Sequence, residues 1–123
     1  MIWIARITTA LVLLFCLAMA LLAYVDPAKS AEALGMSSQT GLGLNTYRAD
    51  VGALFMVNAI ACAGALFAGK RSWMLAPLAI FGLAVLGRLA GVLIDGAPEG
   101  VATPIIVELV LVAFSAVGLR KLS

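Results

Sequence analysis

The sequence predicts an all-α integral membrane protein, with four transmembrane helices in an antiparallel bundle and both termini in the cytoplasm. Three observations lead there. Of the 123 residues, 64% are hydrophobic and 11% charged, against roughly 45–50% and 25% in a soluble domain. The apolar residues gather into runs at about 4–25, 45–68, 73–94 and 103–120, each about the length that crosses a bilayer core. The basic residues are also asymmetric. Arg6, Lys70, Arg71, Arg120 and Lys121 fall on one side, whereas Lys29 stands alone on the other among Asp26, Glu32, Asp95 and Glu99. Loops rich in lysine and arginine stay in the cytoplasm. Residues 1–123 read as one membrane domain.

The first run follows Arg6. Its basic start and Ala18-Met19-Ala20 also fit a secretory signal with a small-residue cleavage site, but about 19 apolar residues suffice to span, and the reading is a retained helix. Asp26-Pro27 stops it. Residues 26–44 form the outer loop, in which Ser30 to Leu34 make one or two helical turns. The glycines and serines beyond are loop-like. A plain connector is the simpler reading of this loop, and a cap over an opening between helices the alternative. Asn45 is the expected N-cap of the second helix. The basic turn Gly69-Lys70-Arg71-Ser72 is so short that the second and third helices must be antiparallel neighbours. Pro77 falls in the first turns of the third helix, where proline is tolerated. Gly87 and Gly91 make a GxxxG pair suited to close approach of another helix. Thr103-Pro104 reads as N-cap and N1 of the last helix, with a start one turn earlier as the alternative. Trp3 and Trp73 at the inner interface, and Tyr24 and Tyr47 at the outer one, are expected to be interfacial anchors.

Composition narrows the chemistry. Histidine is absent, and with it the commonest general base and metal ligand. Cys16 and Cys62 lie in apolar runs without CxxC spacing, as small buried hydrophobes do. The reading contains no metal, no cofactor and no nucleic-acid partner.

The polar residues inside the runs carry the functional interest. At about 1.5 Å per residue, Arg48 lies about 5 Å and Asp50 about 8 Å below the outer start of the second helix. Arg88 lies roughly 10 Å below Asp95, and Glu108 about 6 Å below Pro104. All four therefore share one layer near the outer face. An arginine in hydrocarbon costs about 2.5–3.5 kcal/mol even on insertion scales, so each is expected to find a partner. Arg88 should pair with Glu108 or Asp50, and Arg48 with the remaining carboxylate. Arg48 and Asp50 differ by about 200° around their helix and do not face each other. Asn58, deeper in the same helix, is expected to bond across helices. Arg88 and Asp95 share a face. Buried charges of this kind are either structural glue or a binding site.

Two segments, RADVGALF at Arg48–Phe55 and GRLAGVLIDGAP at Gly87–Pro98, resemble DUF4345, a family of small bacterial four-helix membrane proteins of unknown function. The shared elements are Arg48, Gly52, Gly87, Arg88, Asp95, Gly96 and Glu108, over about Asn45 to the C-terminus. Val51-Gly52 stands where the family pattern has Gly-Gly. The plan is also similar, more loosely, to the DoxX-like four-helix proteins. The resemblance implies a bacterial inner membrane location and the four-helix architecture, and it supplies no activity.

Three functions compete. The first is a non-catalytic accessory protein holding a lipid headgroup or amphiphile at the Arg48, Asp50, Arg88, Glu108 layer, since arginine forks suit phosphate and carboxylate. A structural subunit of a larger membrane complex stands close behind. The second is a small oligomeric transporter or channel. Its size resembles the small multidrug-resistance exporters, but the first helix lacks their carboxylate. The third is an enzyme using Glu108 or Asp50 in acid–base work, for which no catalytic motif is present.

Overall fold

The computed structural model describes residues 2–122. It is all-helical: α1 (Ile2–Val25), α2 (Pro27–Ala33), α3 (Gly41–Phe67), a short 3-10 helix (Arg71–Met74), α4 (Leu75–Asp95) and α5 (Ala102–Lys121). Four segments are long and apolar enough to cross a membrane: α1, α3, the 3-10 helix continued by α4, and α5.

The distribution of side chains by size shows which solvent these helices are built for. The buried positions are mainly small, among them Ala5, Thr9, Ala20, Ala23, Ala61, Ala65 and Ser115. The large aliphatics point outward, including Leu14, Leu21, Ile60, Leu83, Leu86, Leu93 and Ile106. In water that arrangement would leave a continuous apolar surface far beyond what soluble monomers expose. In lipid it is the expected one, because small residues let helices approach closely and leucines face hydrocarbon at no cost.

The chain forms two compact units, one of residues up to Val12 together with Ala61 onward, the other Leu13–Ile60. In the first unit the buried stripes follow helical spacing: Pro77, Phe81 and Val85 on α4, and Leu111, Ser115 and Gly118 on α5. The link from α4 to α5 is short, so α5 returns along α4. At the other end of this hairpin the Arg71 guanidinium donates from Nη1 to the Arg120 carbonyl at 3.3 Å, satisfying one of the open carbonyls of the α5 C-terminus.

In the second unit, Asp26-Pro27 both ends α1 and starts α2. The Asp26 carboxylate accepts the Lys29 amide at 3.3 Å, and Pro27 occupies N1, where its missing N–H costs nothing. The helix ends in a Schellman motif. Gly35 takes φ +72°, Met36 donates to the Ala31 carbonyl at 2.7 Å and Gly35 to that of Glu32 at 3.0 Å. Residues 26–44 are therefore more than a connector: Ser30 and Ala31 are buried. Ala31 packs with Ala23 and Tyr47, flanked by Leu34 and Val51. The Ser30 and Tyr47 hydroxyls lie 2.7 Å apart in a buried hydrogen bond.

Several sequence expectations are corrected. The second spanning helix begins at Gly41, not near Asn45, so Asn45 lies within it and is no cap. A glycine in a helix costs about 1 kcal/mol against alanine, less than leaving the amides of a turn without partners in an apolar setting. The last helix begins at Ala102, with Val101 as its N-cap residue. Thr103 is therefore no cap, and Pro104 sits inside the first turn, where its nitrogen needs no acceptor. Arg71 and Ser72 belong to the 3-10 helix rather than to a turn. Tyr47 is buried, with 5% exposure, and is not an interfacial anchor. Trp73 lies over Gly64, where a Cβ would come 2.6 Å from its ring, so it is also a packing residue.

Candidate functional site

The site develops from the α4–α5 hairpin. Arg88 lies two turns before the end of α4 and Glu108 less than two turns into α5, so the antiparallel return sets them level. Arg88 Nε donates to Glu108 Oε1 at 2.5 Å. The Arg88 side chain is 34% exposed and that of Glu108 14%. Among the described residues this is the one ion pair. It selects Glu108 from the two carboxylates the sequence offered to Arg88.

Beside the pair is an open cavity of about 360 Å³ at the helix junction. On α4 its wall consists of Arg88, Gly91, Val92 and Asp95, the single face that the i, i+3, i+4, i+7 spacing predicts. The link from Gly96 to Val101 closes it from the other side. Gly96 can make that turn because it adopts φ +87°, a region a side chain rarely enters. Its amide bonds back to the Val92 carbonyl at 2.9 Å. A Cβ on Gly91 would meet nothing within 4 Å, so the missing side chain there enlarges the cavity.

The chemistry this allows is recognition. A guanidinium carries five N–H donors in a fixed fork, and Glu108 takes only the one on Nε. The rest of the fork is available to a phosphate or carboxylate, which it binds in bidentate fashion.

The other polar candidates lie on α3, in the second unit. Arg48 and Asp50 are both exposed on α3, and among the described residues neither enters an ion pair, so the expected pairing of Arg48 with the second carboxylate is not found there. The reason is local. The buried face of this stretch holds Tyr47, Gly52 and Phe55, which leaves positions 48 and 50 outward. Asn58 is fully buried but does not bond across helices. Its Nδ2 donates to the Leu54 carbonyl of its own α3 at 2.9 Å, and its Oδ1 has no partner among the described atoms.

The three packing glycines also separate. Gly52 is a true close approach, since a Cβ there would lie 2.5 Å from the Tyr24 ring. Gly87, like Gly91, faces open space, with nothing within 4 Å of an added Cβ. Sequence reasoning missed the wall residues Val92, Pro98 and Val101. The signal for them was the i+4 spacing from Arg88 and the glycine- and proline-rich link.

No curated protein and no solved structure matches the chain. A family model described as a domain of unknown function, DUF4345, matches residues 4–119, well beyond the C-terminal stretch in which its motifs are visible by eye. Because the match covers nearly the whole length, the chain belongs to the DUF4345 family.

Proposed function

We propose that the chain is a small, non-catalytic membrane protein that binds the polar headgroup of a lipid or amphiphile in the Arg88 cavity. One observation carries this reading. An arginine in an otherwise apolar helix is held by one nitrogen against Glu108, while its side chain lines a cavity large enough for a headgroup. An arginine present only as structural glue has no need of the cavity. The basic-residue asymmetry puts the α4–α5 junction on the side opposite the cytoplasm. The site then opens to the outer leaflet of a bacterial inner membrane, with both termini in the cytoplasm.

A second reading draws on a different feature. Gly87 is exposed on α4 with open space before it, next to the outward leucines Leu83 and Leu86. A small residue on a lipid-facing surface is where a helix from another subunit fits, so a role as a subunit of a homo-oligomer or larger complex is the competing proposal.

Native mass spectrometry of protein purified in mild detergent tests the first reading, using wild type, Arg88→Ala and Gly91→Leu. The expected result is a retained amphiphile that both substitutions release. Protein that is bare throughout, or that carries the same lipids irrespective of the variant, refutes it. Co-purification of a stoichiometric partner that Gly87→Leu disrupts and Arg88→Ala does not favours the second.

A further inference from the structure

Resting on the cavity as a headgroup site, we propose that its ligand is bipolar: an anionic group, such as a phosphate diester, at Arg88 and an ammonium group at Asp95. The charges at the site motivate this. Arg88 is already matched by Glu108, and Asp95 adds a second carboxylate to the wall. Three groups with charges +1, −1 and −1 leave the site one negative charge in excess. A purely anionic headgroup would increase that excess, and a purely cationic one would leave the guanidinium fork unused. A zwitterion meets both needs.

The position of Asp95 is a second, independent argument. It is the last residue of α4, where the helix dipole is negative and a carboxylate is disfavoured. It is exposed and enters no ion pair among the described residues. Asp95 therefore contributes nothing evident to the helix that carries it. It does lie on the face of Arg88, about 10 Å along the helix axis, at the far side of the same cavity. Gly91 stands between the two charges and leaves the intervening space empty. Val92 and Val101 give the wall an apolar part, suited to the short carbon bridge that joins phosphate to ammonium. The arrangement selects a phosphoethanolamine-type headgroup over phosphoglycerol.

The test uses the full-length chain, stripped of lipid in detergent and mixed separately with phosphatidylethanolamine, phosphatidylglycerol or soluble glycerophosphoethanolamine. Occupancy is read by native mass spectrometry. Wild type is expected to favour phosphatidylethanolamine over phosphatidylglycerol by roughly fivefold or more, the scale of one partly exposed charged contact. Asp95→Asn should retain binding and lose that preference, and Gly91→Leu should bind neither lipid. Among the described residues Asp95 has no side-chain partner to lose, so its substitution does not threaten the fold. Binding of the soluble ester by itself places recognition in the headgroup; binding of the lipid only adds a requirement for the acyl chains. Both outcomes support a bipolar ligand. Equal affinity for the two lipids in wild type, or a preference unchanged in Asp95→Asn, overturns the bipolar ligand while leaving the headgroup site standing. Occupancy that ignores both Arg88→Ala and Gly91→Leu removes the site itself.

Discussion

Removing either partner of the Arg88–Glu108 pair should destabilise the chain unequally, and the inequality can be worked from the geometry. The contact is a single charged hydrogen bond at 2.5 Å. Such bonds contribute about 1.5–3 kcal/mol. Arg88 keeps 34% of its side chain exposed, and water or headgroups screen it there, so the lower end applies. Arg88→Ala leaves a carboxylate that is only 14% exposed without its cation, and should cost about 1.5–2 kcal/mol. Glu108→Gln keeps an acceptor oxygen and buries no charge, so about 1 kcal/mol is expected. The double variant should cost little more than Arg88→Ala alone, which gives a coupling of about 1 kcal/mol. Reversible unfolding of the purified protein in mixed micelles, followed by circular dichroism across a denaturing-detergent titration, measures all four corners of the cycle. Single-variant losses below about 0.5 kcal/mol that simply add would refute the reasoning. They would show the two side chains to be solvated independently.

The remaining predictions use the same unfolding assay or a topology reporter. Gly52→Ala should destabilise by about 1–3 kcal/mol, since the new methyl is driven into the Tyr24 ring, whereas Gly87→Ala should stabilise by about 0.5–1 kcal/mol, since it meets open space in a helix. Equal effects at the two glycines would contradict the packing described. Tyr47→Phe should cost about 1 kcal/mol by leaving the Ser30 hydroxyl buried without its partner, and adding Ser30→Ala should recover part of that loss. A C-terminal green fluorescent protein fusion should fluoresce and a C-terminal alkaline phosphatase fusion should be inactive. The opposite result would invert the orientation and move the Arg88 cavity to the inner leaflet.

Much of the helical organisation was legible because hydrophobic runs longer than a bilayer is thick leave little choice of structure. Boundaries were read less well, each for a local reason. Gly41 and Gly43 look like loop residues, yet backbone satisfaction extends α3 through them. Asp26-Pro27 was legible as a stop, but the same two residues are equally an N-cap and N1, and their second role creates α2. The pairing of Arg88 with Glu108 was half legible. Depth placed the two level, and the short α4–α5 link brings Glu108 back beside Arg88. Arg48 was misjudged because depth says nothing about which way a side chain faces. The burial of Tyr47 next to it leaves Arg48 outside.

The glycines of α4 show why sequence alone could not identify the site. Gly87 and Gly91 have the spacing of a helix-packing motif, and one face of one helix can serve either a partner helix or a ligand. The two uses make different demands on the neighbouring residues. A packing face needs small or apolar residues at i+3 and i+4, and Gly87 has this in Ala90 and Gly91. A ligand wall needs polar groups converging on a space. Gly91 has Arg88 one turn behind it and Asp95 one turn ahead, with Val92 alongside. The two glycines point to different functions although they belong to one motif. One turn apart along that face, the stretch at Gly87 is free for another helix, and the stretch at Gly91 is already occupied by the cavity. It follows that Gly91→Leu and Gly87→Leu should have separable effects, the first on ligand retention and the second on assembly. A single phenotype shared by both would mean that α4 has one functional face, and that the cavity is an outer edge of a subunit interface rather than a site in its own right.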